Sequence, residues 1–130
     1  DGSRVPLPWE AGAGAENGFN TTGESWLPQP ANYRVFARDL QEGVPGSTLE
    51  LYKRLLKERR AFGLGGGAFR WADEYQDKNT LSYINNGVLV LMNFGPESVV
   101  LPAGEVLVTT QHDLTVEREL EHDQVVWIKL

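Results

Sequence analysis

Cysteine is absent from these 130 residues, which excludes disulfides, thiolate nucleophiles and thiolate metal sites. Histidine is nearly absent as well: His112 and His122 leave almost no material for an imidazole-based site. Basic residues are scarce, with Lys+Arg 12 against Asp+Glu 18, a net charge of -6 and no basic run. Nucleic acid is therefore not an expected partner, because a phosphate backbone is bound by clustered Lys and Arg that displace counterions. No apolar stretch approaches the ~18 residues a membrane helix needs, and residues 1–9 lack the charged-then-apolar pattern of a signal peptide. No membrane partner is expected, and the piece should be soluble. The first residue is Asp1 rather than Met, so a piece cut from a longer protein is expected. What remains is 41% apolar residues, 23% charged residues and four Trp, the composition of a chain that buries a core. The length allows one ordinary domain, or a small domain carrying part of another.

Residues 1–46 are rich in Gly, Pro, Asn and Ala and hold no period for long, which reads as ordered loop. Pro6 and Pro8 enforce an extended backbone before Trp9, and a second aromatic and proline group runs from Ser25 to Pro30. Linkers rarely carry Leu7, Trp9, Phe19, Trp26, Leu27 and Tyr33, so something apolar is expected to cover this segment.

A helix should begin at Thr48. Pro45-Gly46 makes a turn, Ser47 can cap the first free amides, and Glu50 can reach back to complete a capping box. Leu51, Tyr52, Leu55, Arg59 and Phe62 fall on one stripe, with Leu49 and Leu56 beside it, while Lys53, Arg54, Lys57, Glu58 and Arg60 lie on the wetter side. Glu50 and Arg54 are spaced for an ion pair, and Gly63 is a natural stop.

After Gly65-Gly66-Gly67 the period changes to two and turn signals recur, which predicts an all-β region. Strands are expected at about 68–73, 80–85, 88–94, 98–101, 105–110, 116–120 and 124–129. Asn86-Gly87 is a strong hairpin signal, since a type I′ turn takes positive φ at both central residues. The wholly apolar run 88–92 should be a central strand, and 116–120 an edge. An antiparallel β-sandwich is predicted, with Phe69, Trp71, Leu81, Tyr83 and Trp127 in its core.

Chemistry is harder to find. Asp73, Glu74 and Asp77 lie in a polar turn, and Glu117, Glu119, Glu121 and Asp123 alternate along an edge; both groups read as solvated acid, and neither has calcium-loop spacing. His112 beside Asp113, and Ser82 or Ser98, read as loop and sheet residues rather than a triad. The glycine run 63–67 follows a helix instead of preceding one, so it cannot cradle phosphate. Exposed Trp and Tyr could stack on sugar rings or simply pack the core. No catalytic residue, metal or cofactor is expected in this chain.

Residues 1–9 (DGSRVPLPW), Gly18-Phe19, Ser25-Trp26-Leu27-Pro28, residues 45–55 (PGSTLELYKRL) and Arg59-Arg60 occur in an order that resembles the α-amylase superfamily, glycoside hydrolase family 13. The likeness is nearest to its α-glucosidase and oligo-1,6-glucosidase branch. It implies that 1–46 is the loop after the last strand of a TIM barrel, 47–63 the last barrel helix, and 64–130 a C-terminal β-sandwich domain. It also implies a retaining α-glucosidase as parent, acting on α-linked gluco-oligosaccharides, with the three catalytic carboxylates upstream of this chain. The fragment itself is then non-catalytic and stabilises the barrel. By the same resemblance Arg4, with Asp1 as a weaker candidate, borders the sugar pocket as a substrate contact; Arg4 could equally be a structural ion-pair partner. The expected partners are the α-glucoside substrate and the rest of the barrel, with self-association of the isolated piece; a cytoplasmic location fits the missing cysteine. Two other readings stand beside this one: an autonomous carbohydrate-binding β-sandwich module, and a non-catalytic relative such as the ectodomain of an amino-acid transporter heavy chain.

Overall fold

Pro6 and Pro8 hold their stretch extended and offer no amide hydrogen, so other parts of the chain must bond to it. In the computed structural model, which describes residues 2–14, 16–111 and 118–130, they do so. The chain divides into two units, Asp1–Glu50 and Leu51–Leu130. In the first, both prolines are buried. Gln29 Nε2 donates to the Pro6 carbonyl at 3.1 Å, and the amides of Arg38 and Asp39 donate to Pro8 and Trp9, each at 3.1 Å. The amides of Trp9 and Glu10 both donate to the Asn17 carbonyl, at 2.7 and 2.9 Å, and that of Ala11 meets the Asp39 carboxylate at 3.1 and 3.2 Å. This lacing is the order expected of the loop. Before residue 48, regular structure among the described residues comprises 3₁₀ turns at Gly2–Arg4 and Tyr33–Phe36 and the short helix α1 (Arg38–Gln41), which is too brief to show a period in sequence. Leu7, Phe19, Phe36 and Leu40 are about half exposed, and Trp26 is 87% exposed.

Helix α2 (Thr48–Ala61) starts where the capping signal puts it. Ser47 Oγ accepts the Glu50 amide at 3.3 Å. The expected return contact differs: Glu50 Oε1 accepts the amide of Gly43 at 3.0 Å, while the Ser47 amide donates to Val44. The ion pair also differs. Arg54 Nε bonds Glu58 Oε1 at 2.7 Å instead of Glu50, and Glu58, expected on the wet side, is buried. Leu51, Leu55 and Phe62 pack with Val88, Leu107, Val108 and Trp127, whereas Tyr52 and Leu56 stay exposed. No helix among the described residues is long and apolar enough to cross a membrane.

The remainder of the second unit is antiparallel β, as predicted. Strands β1 (Phe69–Trp71), β2 (Thr80–Asn85), β3 (Val88–Asn93), β7 (Gln124–Lys129) and β5 (Glu105–Thr109) form a five-stranded sheet in that order. Strands β4 (Val99–Val100) and β6 (Glu119–Leu120) make a two-stranded sheet, and 116–117 lie outside the described residues. Asn86 and Gly87 have φ of 48° and 82°, the two positive values a type I′ turn requires. The apolar run on β3 is central, and Val88 to Leu91 are all buried. Leu89, Leu91, Val126 and Ile128 face Leu101 and Leu120 on one side of the large sheet, and the residues of α2 cover part of the other.

Phe69 and Trp71 correct the predicted core. They are 53% and 54% exposed, because β1 pairs, among the described residues, only with β2 and lies beyond the part of the sheet that α2 covers. Leu81, Tyr83 and Trp127 are half-buried.

Gly104 has φ +146°, and a Cβ there would lie 2.5 Å from Ile128 Cγ2 and 2.6 Å from the Lys129 carbonyl oxygen. Gly104→Ala is expected to destabilise the chain by about 3 kcal/mol, combining a strained φ with a backbone clash. Urea unfolding with an unchanged m-value is the check.

Candidate functional site

Arg4 ends the first 3₁₀ turn, one residue before the laced run 5–11, and its side chain is exposed and engaged with a neighbour. Asp1, the second predicted contact, lies outside the described residues. A feature that the sequence did not reveal sits nearby in the chain: Glu16 is only 9% exposed, and its Oε2 has no hydrogen-bond partner. No motif marks it, since its neighbours are Ala, Gly and Asn.

The other groups that carry chemistry are tied into the fold. Ser82 is wholly buried and its Oγ donates to the Ala72 carbonyl at 2.8 Å, joining β2 to the residue after β1. Ser98 Oγ donates to Glu119 Oε2 at 2.7 Å, between the two strands of the small sheet. Asp77 Oδ1 accepts the Asn79 amide at 2.7 Å, a turn contact. His122 Nδ1 meets the Gly95 carbonyl at 2.8 Å, and its Nε2 lies 3.2 Å from Asp123 Oδ2. His112, Asp113 and Glu117 lie outside the described residues. Among the described residues no group of three or more His, Asp or Glu could hold a metal ion.

On the second unit the exposed feature is aromatic. Phe69, Trp71 and Tyr83 share one face of β1 and β2, with ring centroids 5.2 Å apart for Phe69 and Trp71 and 5.3 Å for Phe69 and Tyr83. Alternation sends Arg70, between them, to the other face. Its Nη2 and Nη1 grip Glu74 Oε1 and Oε2 at 2.6 and 3.1 Å. This two-point bond holds the Glu74 carboxyl below the usual carboxylate range and raises the pKa of Arg70. A depressed folded pKa means the pair acts above the unfolded carboxyl pKa and is lost as pH falls through the folded value. Both groups are exposed, so the pair positions side chains more than it stabilises the fold. In an NMR titration, the Glu74 midpoint is expected to rise when Arg70 is replaced by alanine, because the two-point bond that depresses it is then lost.

The chain matches no family model. The salivary alpha-glucosidase of Aedes aegypti is 31% identical over 106 residues, 78% of this chain and 18% of that protein. An amino acid transporter heavy chain of Rattus norvegicus is 32% identical over 113 residues, 81% of this chain and 16% of that protein. The solved structure of an alpha-glucosyl transfer enzyme superposes with a TM-score of 0.69 at 25% identity, covering 98% of this chain and 25% of that one. This chain therefore spans less than a fifth of the length of either curated relative.

Proposed function

We propose, from its likeness to the α-glucosidase-type enzymes of the α-amylase superfamily, that this chain is the C-terminal part of a retaining α-glucosidase. The likeness itself is shown by the sequence and structure matches, and with it the chain's place as part of a glycoside-hydrolase-type protein with a mainly antiparallel β domain. The observation that carries the proposal is the structural match, which takes in nearly all of this chain and leaves three quarters of the larger enzyme unaccounted for. Two carboxylates, nucleophile and acid/base, are the minimum for hydrolysis with retention. On this reading they belong to the missing part, and Arg4 contributes a substrate contact from the loop. The β domain and α2 support the barrel, and the exposed Leu7, Trp26, Tyr52 and Leu56 are covered by it.

The test is an assay of an aryl α-glucoside with the full-length protein and with the 130-residue chain side by side. Turnover by the former alone is expected; turnover by the short chain would refute the division of labour. A second reading rests on the transporter heavy chain, which is as similar as the glucosidase. It expects no turnover from either protein.

A further inference from the structure

Val90 stands at the bottom of a dip in the five-stranded sheet. In the register of β2, β3 and β7 it lies between Tyr83 and Trp127, so two aromatic residues flank one small aliphatic side chain. They are two strand spacings apart, about 10 Å. The pocket there has a volume of ≈ 240 Å³ and is lined by Arg59, Leu64, Tyr83, Asn85, Val90 and Trp127.

Its polar groups are unspent. The Arg59 guanidinium has no ion-pair or hydrogen-bond partner among the described residues. It folds back against the glycine run, with Nη2 3.0 Å from where a Gly65 Cβ would stand. Asn85 Oδ1 is buried without a partner, a costly state for an acceptor. The Tyr83 hydroxyl and the Trp127 indole N–H also bond to nothing among the described residues. Beyond Tyr83 the same face continues to Trp71 and Phe69, both about half exposed.

These features discriminate between ligands. A phosphate would use Arg59 and leave both aromatic faces idle, while a purely apolar ligand would bury Arg59 and Asn85 unpaired. A pyranose uses both kinds of surface: its C–H faces stack on rings, and its hydroxyls donate and accept. We propose that this pocket binds one glucosyl ring of an α-linked gluco-oligosaccharide, against Tyr83 and Trp127, with hydroxyls to Arg59 and Asn85. The choice of an α-linked sugar rests on the α-glucosidase reading above; the fit to a pyranose does not.

The experiment is a ¹H–¹⁵N NMR titration of the 130-residue chain with maltotriose, and with cellotriose for comparison. Saturable shifts of the Trp127 indole and Asn85 side-chain signals with maltotriose are expected, with little response to cellotriose. Arg59→Ala, a change at an exposed position, should weaken the binding about tenfold. Equal response to both sugars keeps the pocket as a pyranose site and overturns its α-glucosyl preference, while the α-glucosidase reading stands or falls on the aryl α-glucoside assay above. Unmoved signals at high millimolar sugar overturn the proposal. So do shifts that follow protein concentration without sugar, which would put a second copy of the chain in the pocket.

Discussion

Asn93→Ala is expected to lower the unfolding free energy by about 3 kcal/mol, a large share of the ~5–15 kcal/mol that holds an ordinary domain. Asn93 is 1% exposed at the end of β3. Its Nδ2 points at three carbonyl oxygens, those of Glu97, Leu120 and Glu121 at 2.8, 3.1 and 3.2 Å, and its Oδ1 accepts the Gly95 amide at 2.9 Å. One side chain thus ties the turn after β3 to the small sheet. Alanine leaves the partners unpaired, and a lower urea midpoint at constant m-value is the readout. Asn93→Asp sharpens the point. It sets an acceptor against three acceptors, so the new carboxyl must stay protonated in the folded chain and its pKa rises. That variant should be most stable below the unfolded carboxyl pKa and lose stability as pH climbs through the folded value.

On the proposed α-glucosidase reading, Arg4→Ala in the full-length protein is expected to lower kcat/KM on an aryl α-glucoside about 100-fold, the loss that follows removal of a charged donor to substrate. The melting temperature should hardly move, because the side chain is exposed. A structural ion-pair role gives the opposite split, a lower melting temperature with kcat/KM nearly intact. Arg4→Lys separates the two further, since lysine keeps the charge and loses the planar fork.

Much of the fold was legible wherever a local signal decided it. Ser47 and Thr48 start α2, Asn86-Gly87 turns the hairpin, and the apolar run at 88–92 is the central strand because only a strand covered on both faces tolerates it. Phe69 and Trp71 were misread because their residue types suit a core and their exposure depends on how far α2 reaches across the sheet. Glu58 is buried and bonded to Arg54, although its helical spacing puts it on the wetter side. For the candidate sites, Arg4 was visible only through the family motif. The pocket over Val90 depends on cross-strand register, which joins residues 83, 90 and 127 and leaves no mark on any single stretch of sequence.

The strand order also sets a timetable. Among the described residues β5 pairs only with β7, and β7 lies between it and β3. During synthesis the β2–β3 hairpin can close as soon as it leaves the ribosome, since its partners are joined by a two-residue turn. β5 has no such neighbour and must wait, unpaired, until residues 124–129 have been made. At ~5–20 residues per second that interval lasts about a second or more. A nascent chain halted inside it would present an unpaired apolar strand to whatever chaperone or sister chain is within reach.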